Sequence, residues 1–210
     1  MLKEIEKRIL TSLILIPLTF FFIFKGSFFF IFFLIIIFFV SSYEWLKLNK
    51  RKNLVKSFGI IFLILSFYSA YLLRLEQDFK VFLFIILISI LTDIGGYIFG
   101  RTFKGPKLTK ISPKKTYAGL IGSFFLSIMG GLFFVELIDL KSNLFLYSFI
   151  LIISLVSQVG DLVVSYFKRL AKIKDTGKIL PGHGGLLDRI DGIVFAIPFA
   201  YIYLKLAIIY

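Results

Sequence analysis

Apolar residues along this 210-residue chain come in long uninterrupted runs rather than in alternation. Phe28–Val40 reads FFFIFFLIIIFFV, and Val81–Gly100 reads VFLFIILISILTDIGGYIFG. About 20 apolar residues carry a helix across a bilayer, so runs of this length predict transmembrane helices. An outer-membrane barrel needs segments of roughly ten residues with alternating faces, a pattern absent from these runs. Seven spans are expected, near 9–24, 28–46, 57–74, 79–100, 117–136, 144–167 and 187–208. The predicted fold is all-α: a polytopic transmembrane helical bundle forming a single integral membrane domain over 1–210. Within it, 1–80 supplies the N-terminal helices, and 81–210 forms a core with two polar loops, 101–116 and 168–186.

The first two spans are separated only by Lys25, Gly26 and Ser27. One helix over 9–40 would run about 48 Å, too long for a hydrocarbon core of about 30 Å. The glycine-containing stretch is therefore read as a break, with a short first span or a re-entrant hairpin before it. The N-terminal MLKEIEKRILTSLILIPLTFFFIF has the basic start and apolar middle of a signal peptide. It shows no small-residue cleavage site, and a second apolar run follows at once, so it is expected to remain as the first helix.

Composition makes lipid the natural solvent. Hydrophobic residues make up 59% of the chain and 28 residues are Phe, more apolar surface than a water-soluble domain of this length hides. The absence of cysteine removes disulfides and thiolate metal chemistry. The formal charge of +13 changes meaning once its distribution is considered. With the N-terminus inside, the inside segments hold Lys3, Lys7 and Arg8, then Lys47, Lys50, Arg51, Lys52 and Lys56. Arg101, Lys104, Lys107, Lys110, Lys114 and Lys115 follow, then Lys168, Arg169, Lys172, Lys174, Lys178 and Arg189. Outside remain Lys25, Arg74, Lys80, Lys141 and Lys205. Such asymmetry predicts a cytoplasmic N-terminus and places both polar loops at the cytoplasmic face. Anionic headgroups and a phosphorylated substrate are the expected partners, and no nucleic acid.

A carboxylate on a membrane helix is costly unless it meets protein, water or a partner. Asp93 and Asp161 are expected about 10 Å below the cytoplasmic surface, as chemistry or as packing against a neighbouring helix. Asp161, Ser165 and Lys168 fall at i, i+4 and i+7 with Arg169 beside them, and Asp188 and Asp191 at i and i+3. Asp161, Asp188 and Asp191 are thus expected to converge beneath that surface. Alone they would repel and raise one another's pKa; Lys, Arg or a divalent cation relieves this. Oxygen ligands without cysteine favour Mg²⁺, as one or two ions, over zinc. Metal beside a dense basic loop points to phosphate chemistry.

The segment KDTGKILPGHGGLLDRID, Lys174–Asp191, holds the single histidine. Gly182, Gly184 and Gly185 let backbone approach a ligand and offer N–H donors. The helix starting near Leu186 aims its N-terminus at the same place. His183 is either a solvated loop residue or a phosphate contact. Lys172 and Lys178 suit headgroup anchoring, and Lys174 and Arg189 either that or anion binding. The loop Gly100–Gly119 is either a plain positive-inside loop or a triphosphate site with Ser112, Lys114, Lys115 and Thr116 as donors.

Ser165–Asp191, SYFKRLAKIKDTGKILPGHGGLLDRID, resembles the signature of the phosphatidate cytidylyltransferases, also called CDP-diacylglycerol synthases. Its elements stand in order: Ser165, Lys168–Arg169, Lys174–Asp175, the turn Pro181–Gly185, then Asp188, Arg189 and Asp191. Ile111–Gly119 and Thr92–Gly105 resemble two further family segments, so the likeness covers about residues 90–195. Two features depart from the family. Ala118 follows Tyr117 where a Glu is common, and the N-terminal half is trimmed and rich in Phe and Ile.

The resemblance implies transfer of the cytidylyl group of CTP to phosphatidic acid, giving CDP-diacylglycerol and pyrophosphate in phospholipid biosynthesis. It implies an enzyme of the bacterial cytoplasmic membrane whose active site faces the cytoplasm. Catalytic roles pass to Asp161, Lys168, Arg169, Lys174, Asp175, His183, Asp188, Arg189 and Asp191. Mg²⁺ would sit on Asp161, Asp188 and Asp191, with Asp93 a further candidate and a monovalent cation compatible. Substrate contacts pass to Ser112, Lys114, Lys115, Thr116 and Ser165, and to Gly182, Gly184 and Gly185. A homodimer is compatible with the pattern. A CTP-dependent polyprenol kinase would instead transfer the γ-phosphoryl group. A cation or proton transporter would spread its acids through the membrane depth, and here they gather at one face. A non-catalytic scaffold leaves the signature unexplained.

Overall fold

The computed structural model describes residues 2–48, 53–109, 111–137 and 144–209. Lys50, Arg51, Lys52, Lys110 and Lys141 of the charge pattern lie outside the described residues. Among the described residues there are seven helices: α1 (Leu2–Lys25), α2 (Ser27–Leu48), α3 (Asn53–Glu76), α4 (Phe79–Phe103), α5 (Tyr117–Leu137), α6 (Leu144–Leu170) and α7 (Leu187–Ile209). Each grows from one apolar run and continues into the polar residues flanking it. Six helices, α1 to α6, are long and apolar enough to cross a membrane. The seventh expected span is the helix α7, whose first turns carry Asp188, Arg189 and Asp191.

The helices gather into two compact units. The first comprises Met1–Phe79 and Phe167–Ile190, joining the N-terminal helices to the segment that carries loop 168–186. The second comprises Lys80–Tyr166 and Asp191–Tyr210.

In the first unit the break between α1 and α2 is real. Gly26 has φ +61° and Ser27 φ +44°, and the Phe22 and Phe33 rings stack at 5.0 Å across the reversal. Arg74 of α3 donates from Nε to the Ile23 carbonyl at 3.2 Å, satisfying a carbonyl that α1 leaves open at its end. Gly26 is required by its left-handed backbone, and a Cβ there would stand 2.8 Å from Arg74 Nη2 and displace that flexible side chain. Gly26→Ala is expected to cost about 1–2 kcal/mol from the backbone alone, with the loss of the Arg74 cap added. A thermal midpoint in detergent equal to wild type would refute this account. Trp45 ties the far end of α2 to neighbours: its ring lies edge-on to Phe167 at 4.9 Å, and a Cβ on Gly59 would overlap its indole.

In the second unit α4 and α5 approach along glycines. A Cβ on Gly95 would overlap the Gly122 carbonyl, and one on Gly119 would stand 2.8 Å from the Gly96 carbonyl oxygen. Without a hydrophobic drive between helices in lipid, such close contact and buried hydroxyls supply the attraction. Ser123 Oγ donates to the Thr92 carbonyl at 2.7 Å, and Thr92 Oγ1 donates to Ser154 Oγ at 2.9 Å. A second close approach joins α6 to α7, where a Cβ on Gly160 would stand 2.8 Å from the Asp191 carbonyl oxygen.

Candidate active site

The loop after α6 is built by backbone hydrogen bonds. Lys172 turns left-handed at φ +56°, and the Ile173 N–H returns to the Lys168 carbonyl at 3.0 Å, closing α6. Further on, the His183 N–H donates to the Leu180 carbonyl across Pro181 and Gly182, the latter at φ +77°. Proline then glycine with positive φ is the sequence a type II turn demands. Arg189 clamps this turn from α7, donating from Nε and Nη2 to the His183 carbonyl at 3.1 and 2.6 Å. From α1, Arg8 Nε donates to the Gly182 carbonyl at 2.8 Å and Thr11 Oγ1 to the Pro181 carbonyl at 3.0 Å. Ser12 Oγ lies 3.4 Å from His183 Nε2.

Burial first, then Arg189 and Arg8, holds the His183 pKa below its ordinary 6.5; a hydrogen bond with Pro181 opposes them. The histidine is therefore neutral near pH 7, a hydrogen-bonding group rather than a charge. A depressed folded-state pKa means the unfolded chain binds the proton more readily. His183 thus contributes fully above about pH 6.5 and loses its contribution as pH falls through the folded value. The thermal midpoint should drop between pH 7.5 and 5.5, and His183→Gln should flatten that part of the drop. An identical pH profile in the variant would count against the assignment.

Asp188, in the first turn of α7, has both oxygens occupied. Oδ2 accepts from the Thr176 N–H at 2.8 Å, from Thr176 Oγ1 at 3.0 Å and from the Gly185 N–H at 3.1 Å. Oδ1 receives Lys168 Nζ at 2.7 Å, and these side chains are 5% and 10% exposed. The signature's Lys168 and Asp188 are thus a buried pair that ties the end of α6 to the start of α7.

Glu44 is the residue that sequence reasoning missed. It stands near the end of α2, 1% exposed. Its Oε1 accepts the Leu186 N–H at 3.0 Å, and its Oε2 accepts the Leu187 N–H at 2.8 Å and Thr176 Oγ1 at 3.0 Å. It therefore caps the N-terminus of α7, where backbone N–H groups lack helical partners and a negative charge is favoured. Two glycines make room: a Cβ on Gly177 would overlap Glu44, and one on Gly185 would overlap Thr176. The available signal was a polar cluster, Ser41, Ser42 and Glu44, breaking an otherwise apolar run.

In the second unit Lys115 Nζ meets Asp161 Oδ2 at 2.6 Å, and Ser165 Oγ donates to Asp161 Oδ1 at 3.1 Å. The loop bringing Lys115 there is stitched by the Leu108 N–H to the Lys115 carbonyl at 2.8 Å and the Lys115 N–H to the Ser112 carbonyl at 3.0 Å. Thr116 Oγ1 accepts the Gly119 N–H at 3.1 Å, capping α5. Lys114 is exposed and Ser112 half-buried. Asp191 is buried, with Oδ1 accepting the Gly192 N–H at 2.9 Å, and Asp93 is exposed on α4.

Of the three aspartates expected to share a metal, Asp188 belongs to the first unit, and Asp161 and Asp191 to the second. Among the described residues no group of three or more His, Asp or Glu side chains is disposed to hold a metal ion. Lys174, Asp175 and Arg169 are exposed; Arg169 Nη1 reaches the Ile173 carbonyl at 3.3 Å.

The helices and these paired charges describe an integral membrane protein with two polar clusters. The sequence profile of the cytidylyltransferase family matches residues 6–92 and 58–207, and the chain belongs to that family. A phosphatidate cytidylyltransferase of Brucella suis is 41% identical over 150 residues, 69% of this chain and 55% of that protein. One of Staphylococcus epidermidis is 44% identical over 125 residues, 59% of this chain and 48% of its own. One of Staphylococcus aureus is 47% identical over 118 residues, 55% and 45%. The chain spans about half the length of the curated relatives it matches.

Proposed function

We propose that this chain transfers the cytidylyl group of CTP to phosphatidic acid. One observation carries the reading: in a member of the cytidylyltransferase family, the signature residues Lys168, Gly185 and Asp188 form one buried hydrogen-bonded cluster with Thr176. A phosphate oxygen of the lipid attacks the α-phosphorus of CTP. A new P–O bond forms, the bond from the α-phosphorus to the β-phosphate oxygen breaks, and pyrophosphate leaves with the electron pair. The attacking oxygen is already anionic, so no strong base is needed and catalysis rests on positioning and charge neutralisation. Lys114 and Lys115 serve the triphosphate, with Ser112 as hydroxyl donor. Arg169 and Lys174, both exposed, meet phosphate oxygens arriving from water. His183 contributes a neutral hydrogen bond.

Mg²⁺ suits the donor set. Asp161 and Asp191 offer hard oxygen ligands, and the Lys115 ammonium already stands as a cation 2.6 Å from Asp161. Bound, the ion would neutralise substrate phosphate charge, leaving Lys115 to the triphosphate. The asymmetry of Lys and Arg supports a cytoplasmic N-terminus and a cytoplasm-facing site in a bacterial inner membrane. CTP then arrives from water and phosphatidic acid from the bilayer.

The test is product analysis with purified protein, Mg²⁺, phosphatidic acid and a polyprenol as acceptors, and CTP labelled at the α- or γ-phosphate. The α-label is expected in the lipid. A γ-label in the lipid would reassign the chain as a kinase, and neither label in the lipid would sink both readings.

A further inference from the structure

We infer that Glu44 is a positioning residue of the transfer reaction, acting through Thr176 and the start of α7 on Asp188. This rests on the cytidylyl-transfer reading of the same cluster. Thr176 Oγ1 lies 3.0 Å from Glu44 Oε2 and 3.0 Å from Asp188 Oδ2. A hydroxyl has one proton to donate, so the two carboxylates share or alternate it, and neither can shift without the other responding. Glu44 also holds the Leu186 and Leu187 N–H groups that immediately precede Asp188 along the chain. The direction of Asp188, and of Lys168 paired to it, is therefore set from α2. The signature's Gly185 acquires a second reason, and Gly177 beside it the same one: a side chain at either would evict Thr176 or Glu44.

Glutamine at position 44 keeps the shape and one acceptor but turns an NH₂ donor toward groups that themselves donate. In full-length Glu44→Gln protein, kcat should fall about tenfold or more, as small misplacements at reacting groups do, with KM for CTP within roughly threefold. The Leu186 and Leu187 amides should exchange hydrogen about tenfold faster, and the thermal midpoint should fall, because a buried donor then faces donors. Thr176→Val, which removes only the shared hydroxyl, should also lower kcat, and Thr176→Ser should bring it back toward wild type. This pair keeps the inference testable should the Glu44 variant fold poorly. Faster exchange with unchanged kcat would show an anchor without catalytic bearing and overturn the inference, as would unchanged exchange. If wild-type protein labels no lipid, the functional reading fails instead, and the exchange data still report whether the anchor exists.

Discussion

Asp188→Asn is expected to remove CDP-diacylglycerol formation, by about 100-fold or more, and to lower the thermal midpoint as well. The side chain meets a buried ammonium on one oxygen and three donors on the other. Asparagine retains one acceptor, so its NH₂ must face either Lys168 or the donors of Thr176 and Gly185. Breaking one side of a buried ion pair typically costs about 3–5 kcal/mol, a large part of a domain's total stability of about 5–15 kcal/mol. Activity loss alone would therefore not separate fold from chemistry. The double variant Asp188→Asn with Lys168→Met does, since removing both charges takes away the uncompensated ammonium. Its midpoint should recover substantially while product formation stays absent. Product at near wild-type rate in either protein would overturn the assignment of Asp188 to the reaction.

How much of this was legible beforehand follows from the range of each interaction. Helix positions were readable because the length of an apolar run is a local property, and Gly26 marked the α1–α2 break in the same way. The signature, including its turn, was readable for the same reason: Pro181 and Gly182 fix a type II turn within four residues. Thr116, read from the sequence as a triphosphate donor, gives its oxygen to the Gly119 N–H and caps α5. The contacts of Glu44 with Thr176 and Leu187 bridge 132 and 143 positions, and that of Arg8 with Gly182 bridges 174. No periodicity or spacing encodes such pairings. Gly185 shows the consequence: its lack of a side chain reads as room for a ligand, yet the space is filled by Thr176 and Glu44.

Asp161→Asn should behave unlike Asp188→Asn, and the contrast bears most directly on where the chemistry lies. The Asp161 and Lys115 side chains are 27% and 26% exposed, so solvent screens their attraction even at 2.6 Å. Pairs of this kind are worth about 0–1 kcal/mol, so the midpoint of Asp161→Asn should lie close to wild type. Ser165 loses little, because its hydroxyl can donate to the remaining carbonyl oxygen. If Asp161 served only to hold the loop through Lys115, activity would fall no more than stability does. As a carboxylate that trades Lys115 for a divalent ion when CTP binds, its loss should cut product formation by about 100-fold or more. The Mg²⁺ concentration for half-maximal rate should rise about tenfold in any residual activity, since one anionic ligand has become neutral. Lys115→Met gives the complementary signature: Mg²⁺ dependence shifted little or downward, and KM for CTP raised about tenfold with a smaller effect on kcat. Measuring rate against Mg²⁺ and CTP in both variants decides the matter. Unchanged Mg²⁺ dependence together with wild-type rate in Asp161→Asn would return the Lys115–Asp161 pair to a purely structural role.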